Sequence, residues 1–201
     1  MQKKKFFKVR NLVGTALLLA LEVVLQFLSM IIPTPVMMNL SLIPITIGAI
    51  VYGPISGGFL GLACGLIILL TPNTVTLFMS ISPAATIITC LLKTSIAGLL
   101  AGLVYIPFKK NNQSVVGSII SSIIVPLFNT LIFSIFCFIF FIEGLKEIGF
   151  NLTNYWSIFT GFIGFNFVIE IISNTVICPL IVRAIKTNNQ KYREENKEKT
   201  H

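Results

Sequence analysis

The fold class that this sequence predicts is all-α: a polytopic membrane protein of six transmembrane helices. Three observations predict it. Of 201 residues, 55% are hydrophobic and only 11% are charged, with mean hydropathy +0.91, where a soluble domain carries roughly 25% charged residues. The apolar runs are of helix length and do not alternate in polarity. A bilayer admits only helices or closed barrels, so these runs are helices. Finally, the net charge of +8 gathers at the two ends and at Lys109 and Lys110. That pattern describes topology and not nucleic-acid binding.

Residues 1–10, MQKKKFFKVR, make a basic lead that the positive-inside rule places in the cytoplasm. A transmembrane domain spans residues 11–185, and a polar tail, residues 186–201, is expected to be cytoplasmic as well. No cleavage-like site follows the first apolar run, so it is kept as a helix over Asn11 to Ile32, closed by Pro33 and Pro35. A second span, Leu40 to Val51, is short and carries Pro44, and such segments often border cavities. A glycine-rich helix follows over Ile55 to Leu70. The segment TPNTVTLFMSISP is then read as a polar, uncharged loop long enough to act as a lid. Helices over Ala84 to Phe108, Val115 to Phe141 and Trp156 to Ile185 complete the set, with a mildly acidic loop, EGLKEIGFNLTNY, before the last. Asn151 opens a glycosylation-like triplet that is most simply a chance match.

Within the third helix, Gly53, Gly57, Gly61 and Gly65 recur every fourth residue and share one helical face. Each glycine costs a helix about 1 kcal/mol relative to alanine. Repetition therefore points to helix packing, where a stripe without side chains admits a neighbouring helix to backbone contact. Gly98 and Gly102 form a second such pair, and Gly14, Ala16 and Ala20 give the first helix small residues suited to a contact.

Charged side chains inside the membrane cost roughly 2.5 kcal/mol or more each, so they need a partner or a watery cavity. Glu22, Lys93 and Glu170 are of this kind, and Gln26 lies one turn from Glu22. Asn166, Glu170 and Asn174 make one stripe at i, i+4, i+8, and Asn129 is a further intramembrane amide. One reading pairs Lys93 with Glu170 or Glu22 and lets the asparagines join helices. The other makes Lys93, Asn129, Asn166 and Glu170 a substrate pocket, roofed by the loops that hold Asn39 and Asn73. An anionic ligand would suit Lys93, with the amides fixing amide or hydroxyl groups. Neither a catalytic residue nor a cofactor is expected. No HExxH, GxSxG or Walker motif occurs, and the one histidine is His201. Cys64, Cys90, Cys137 and Cys178 stand singly in apolar runs, as small packing residues do, and no metal site is expected.

The stretch NLSLIPITIGAIVYGPISGGFLGLACGLI resembles the second and third helices of the substrate-binding S components of energy-coupling factor (ECF) vitamin transporters. The basic lead before TALLLALEVV is similar to their first helix, and the resemblance covers nearly the whole chain. It implies a vitamin-capture subunit of the prokaryotic plasma membrane with both termini cytoplasmic. It further implies that Ala16 and Ala20 contact a coupling transmembrane subunit, which works with two cytoplasmic ATPases. The pattern looks most like pantothenate-type members, in which Lys93 would meet the carboxylate. Two other classes remain: a self-contained small transporter or channel, and an intramembrane enzyme using Glu22, Glu170 and Asn166.

Overall fold

The structure is a computed structural model that describes residues 9–31, 39–111, 113–147 and 164–198. Seven α-helices and no strand occur among them: α1 (Val9–Ile31), α2 (Leu42–Val51), α3 (Pro54–Leu69), α4 (Pro83–Lys110), α5 (Ser114–Phe136), α6 (Ile142–Glu147) and α7 (Phe165–Glu198). A π-helical turn, Thr74–Met79, lies between α3 and α4, and a second, Cys137–Phe141, joins α5 to α6. Among the described residues, four helical stretches are long and apolar enough to cross a membrane: Asn11–Ile31, Pro83–Lys109, Ser114–Glu147 and Asn166–Ile185. The apolar helices α2 and α3 are shorter, at 10 and 16 residues.

Burial is inverted relative to a soluble protein. Val168, Ile172, Val176 and Leu180 face outward along α7, while Asn166, Glu170, Asn174 and Cys178 face inward. Leu17, Val24, Phe27 and Ile31 of α1 and Ile55, Phe59, Leu62 and Leu66 of α3 are likewise exposed. An apolar outside, with the polar side chains drawn inward beside a buried apolar core, is the arrangement that lipid demands. Helix α2 is the centre of the bundle, with every residue from Leu42 to Ile50 buried. It contacts α1, α3, α4, α5 and α7. A helix enclosed on all sides has no polar face to spare, which explains the run LIPITIGAI. Pro44 falls in its first turn, where the missing N–H is not needed.

The glycine stripe works through α4. A Cβ on Gly57 would stand 2.6 Å from Gly98 O, and one on Gly65 would stand 2.5 Å from Cys90 O. A Cβ on Gly61 would run into the Thr94 carbonyl. From the other side, Gly102 admits Pro54 and Gly98 admits Gly57, so both glycine pairs serve one antiparallel seam. Gly53 departs from the expected ladder. Nothing lies within 4 Å of its Cβ position, and its φ of +107° makes it the turn between α2 and α3. Gly14 of α1 packs against the Tyr52 side chain, whereas Ala16 and Ala20 point away from the bundle.

Two segments expected as loop are helical. The lid segment forms the π-helical turn, and residues 142–147 extend α5 through α6. The tail expected from residue 186 continues α7 to Glu198. The start of the last span at Trp156, the triplet at Asn151 and the terminating prolines Pro33 and Pro35 lie outside the described residues.

Candidate functional site

One end of the bundle holds the C-terminal parts of α1, α3 and α5 together with the N-terminal parts of α4 and α7. Between them lies a cavity of about 130 Å³. Lys93, Asn129, Asn166, Glu170, Asn39 and Asn73 all line it, although they come from five separate stretches of chain. Each is placed by its element. Lys93 is nearly three turns into α4, on the face that turns inward. Asn166 and Glu170 are successive steps of the inward stripe of α7, and Asn129 comes from the buried face of α5. Asn39 precedes α2, and Asn73 opens the π-helical turn, where it remains exposed.

The polar contacts are specific. Asn39 donates its backbone N–H to Glu170 Oε1 at 3.0 Å. Its side chain lies 3.9–4.0 Å from the Cys64 sulfur, a weak contact. Ser41 donates to Gln26 Oε1 at 2.6 Å, fixing the segment before α2 to α1. Asn129 Oδ1 is buried without a hydrogen-bond partner among the described residues, an acceptor that a ligand donor would satisfy. Of the two readings of Lys93, the structure does not show the ion pair. Among the described residues Lys93 makes no ion pair, and its Nζ rests 4.8 Å from the centroid of the Phe133 ring. Glu22 does not pair with it either. That side chain is fully buried beside Cys64, and neither carboxylate oxygen makes a well-formed hydrogen bond.

The segment that covers the cavity is anchored by aromatic and hydroxyl contacts. Phe78 meets Phe133 edge-on at 5.7 Å and 80°, and Phe141 at 5.1 Å and 77°. Ile81 joins the same cluster beside Phe141 and Leu145. At the other end Thr71 donates to Thr74 Oγ1 at 2.8 Å. Thr71, Asn73, Thr74, Leu77 and Phe78 of this segment line the cavity.

Several lining residues carried no signal in the sequence. Gln26 was visible as an intramembrane amide but had no partner to place it. Thr86 and Thr89 line the cavity as well, yet each returns its hydroxyl to a carbonyl four residues earlier, at 2.8 and 2.6 Å. Such back-bonded threonines are tolerated in any membrane helix and mark nothing by themselves. Phe78, Phe133, Phe141 and Phe167 are indistinguishable by type from lipid-facing phenylalanines.

The second polar group of the bundle lies deeper. Asn174 is fully buried and its Oδ1 accepts from Thr46 at 3.3 Å and from the Cys178 thiol at 2.9 Å. It joins α2 to α7 and does not line the cavity. Among the described residues no three His, Cys, Asp or Glu side chains gather as metal ligands would. The arrangement can hold a small molecule by charge and hydrogen bonds.

A family model described as the substrate-specific component of ECF transporters matches residues 10–182. No curated protein and no solved structure matches the chain significantly.

Proposed function

The chain belongs to the family of ECF transporter substrate-specific components, and from that membership we propose that it captures a water-soluble vitamin or related micronutrient from outside the cell. Members of the family are the substrate-capture subunits of importers, not enzymes. The first ligand to test is pantothenate, with Lys93 taking the carboxylate and Asn39, Asn73, Asn129, Asn166 and Glu170 taking its amide and hydroxyl groups.

The observation that carries this reading is the convergence of six polar side chains on one cavity in a bundle whose outer surface is apolar. A membrane helix retains such residues where they face a cavity or one another, and here they face a cavity. Orientation supports capture from outside. Lys109 and Lys110 end α4 at the pole opposite the cavity, and the positive-inside rule turns that pole to the cytoplasm. Both termini are then cytoplasmic, in a prokaryotic plasma membrane. The two short helices α2 and α3 join the four longer stretches as six membrane segments, with α2 sheltered from lipid.

The exposed strip of Ala16 and Ala20 on α1 serves as the contact for the coupling transmembrane subunit, which brings two cytoplasmic ATPases. Small residues on an outward face allow a partner helix to approach closely.

The test is ligand identification. The protein is purified in detergent without added vitamin and denatured, and the released small molecules are analysed by mass spectrometry. Calorimetry against the compound found then gives its affinity. A stoichiometric vitamin supports the reading. A protein that carries and binds none of the water-soluble vitamins sinks it. Uptake by the protein reconstituted alone would instead make it a self-contained transporter.

A further inference from the structure

Two opposite charges share the cavity and do not meet. Lys93 and Glu170 line the same cavity, and among the described residues they form no ion pair. Opposite charges attract strongly in a water-poor interior, so each is kept from the other only if it is held elsewhere. Both are held. The Lys93 ammonium sits over the Phe133 ring, a favourable place for a desolvated cation. Glu170 Oε1 is fixed by the Asn39 N–H, a charge-assisted bond. Phe133 is itself braced, because Phe78 from the lid stands edge-on to it. One turn before Phe133 on α5, Asn129 offers its unpartnered Oδ1.

We propose that Phe133 is a positioning residue that keeps Lys93 off Glu170, so that the cavity presents a cationic pole and an acceptor pole to a single ligand. The ligand's anionic group goes to Lys93, and hydroxyl or amino donors at its other end go to Glu170 and Asn129. The inference rests on the cavity being the capture site and narrows what it captures. An anion without donors leaves Glu170 facing a second negative charge and leaves Asn129 Oδ1 unsatisfied. A neutral polyol leaves the Lys93 charge uncompensated. Each is penalised in a buried site. The ligand is therefore bipolar, anionic at one end and donor-rich at the other.

Two measurements test this, and the first needs no ligand. Tm is read in detergent for Lys93→Met, Glu170→Gln and the double variant, each in the native and in the Phe133→Leu background. In the native background the two single shifts nearly add. In Phe133→Leu the ammonium moves onto Glu170 and the shifts become strongly non-additive, while Phe133→Tyr, which keeps the ring face, restores additivity. Equal coupling in the native and leucine backgrounds overturns the proposal.

The second measurement is calorimetry with pantothenate, which has a carboxylate at one end and hydroxyls at the other, and with its neutral alcohol, pantothenol. Phe133→Leu lowers affinity for pantothenate at least about tenfold and leaves that for pantothenol within about threefold. Phe133→Tyr keeps both. Equal losses for the two probes reduce Phe133 to packing and refute its positioning role. If the native protein binds neither probe, pantothenate is the wrong vitamin, and the ligand-free cycle still decides whether Phe133 separates the charges.

Discussion

Adding one methyl group at Gly61 probes how closely α3 and α4 approach. A Cβ there would stand 2.5 Å from the Thr94 carbonyl carbon and 2.8 Å from Ser95 N, with the carbonyl oxygen nearer still. Carbon atoms rest at about 3.5–4.0 Å, so the helices must part by about 1 Å. Every opposing atom is backbone, and no rotamer change relieves the clash. A gap of that size forfeits about a quarter to a half of the dispersion energy of the atoms along it. Gly57 and Gly65 lie on the same seam, so the loss extends beyond one residue. Overpacking of this kind costs about 1–3 kcal/mol, and alanine's better helix propensity returns up to about 1 kcal/mol. Because the atoms facing Gly61 are all backbone, the clash belongs in the upper part of that range, about 2–3 kcal/mol, and it wins by about 1–2 kcal/mol. In a chain of this length that is a fall in Tm of roughly 2–8 °C, read by thermal unfolding in detergent alongside monodispersity on size exclusion. Gly61→Leu should lower the folded yield outright. If Gly61→Ala melts at or above the native temperature, propensity has won and the two helices are not in backbone contact.

Three other variants separate the roles of ligand pocket, lid and outer face. Lys93→Met should weaken binding of an anionic ligand at least about tenfold, or about 1.4 kcal/mol, with folded yield intact. Calorimetry that finds unchanged affinity would remove Lys93 from the site. Phe78→Ala loses two edge-on ring contacts worth about 0.5–1.5 kcal/mol each. It should speed ligand dissociation several-fold, and a native dissociation rate would mean that the Thr74–Met79 turn does not close the cavity. Ala16→Leu with Ala20→Leu places bulk on an exposed face, so ligand binding should persist while assembly with the coupling subunit drops. Co-purification at the native level would move the docking surface elsewhere.

Much of this architecture was legible because lipid removes choices. A charge or amide in an apolar run must turn inward, and that rule alone picked out Lys93, Asn129, Asn166 and Glu170 before any geometry was known. The glycine stripe was legible for the same reason, since a helix bears that many glycines where another backbone needs the room. What the pattern could not separate was Gly53 from Gly57. Both fit the four-residue period, yet one packs against Gly98 and the other takes a left-handed φ to turn the chain. Period reports spacing, and it says nothing of which side of a helix boundary a residue falls on. The π-helical turn was hidden by composition. Two prolines, Pro72 and Pro83, bracket a polar stretch that reads as loop, and the hydroxyls of Thr76 and Ser80 bond to carbonyls of their own turn.

The pairing of Lys93 illustrates a different limit. Opposite charges in a membrane sequence suggest an ion pair, because the sequence displays charges and hides rings. The structure places an aromatic face where one of the two readings had put a carboxylate. A phenylalanine in an apolar run has no reason to stand out, and yet its quadrupole can hold an ammonium that would otherwise discharge against Glu170. That substitution decides what the cavity is able to do. A contact pair would have filled the site with its own neutralisation, and a ligand would then compete with an interaction already formed. Holding the ammonium on a ring costs less to undo than breaking a buried ion pair, whose rupture leaves a bare charge on each side. A capture subunit that has to release what it binds is better served by the weaker hold, and Phe133→Leu is the change that would exchange one for the other.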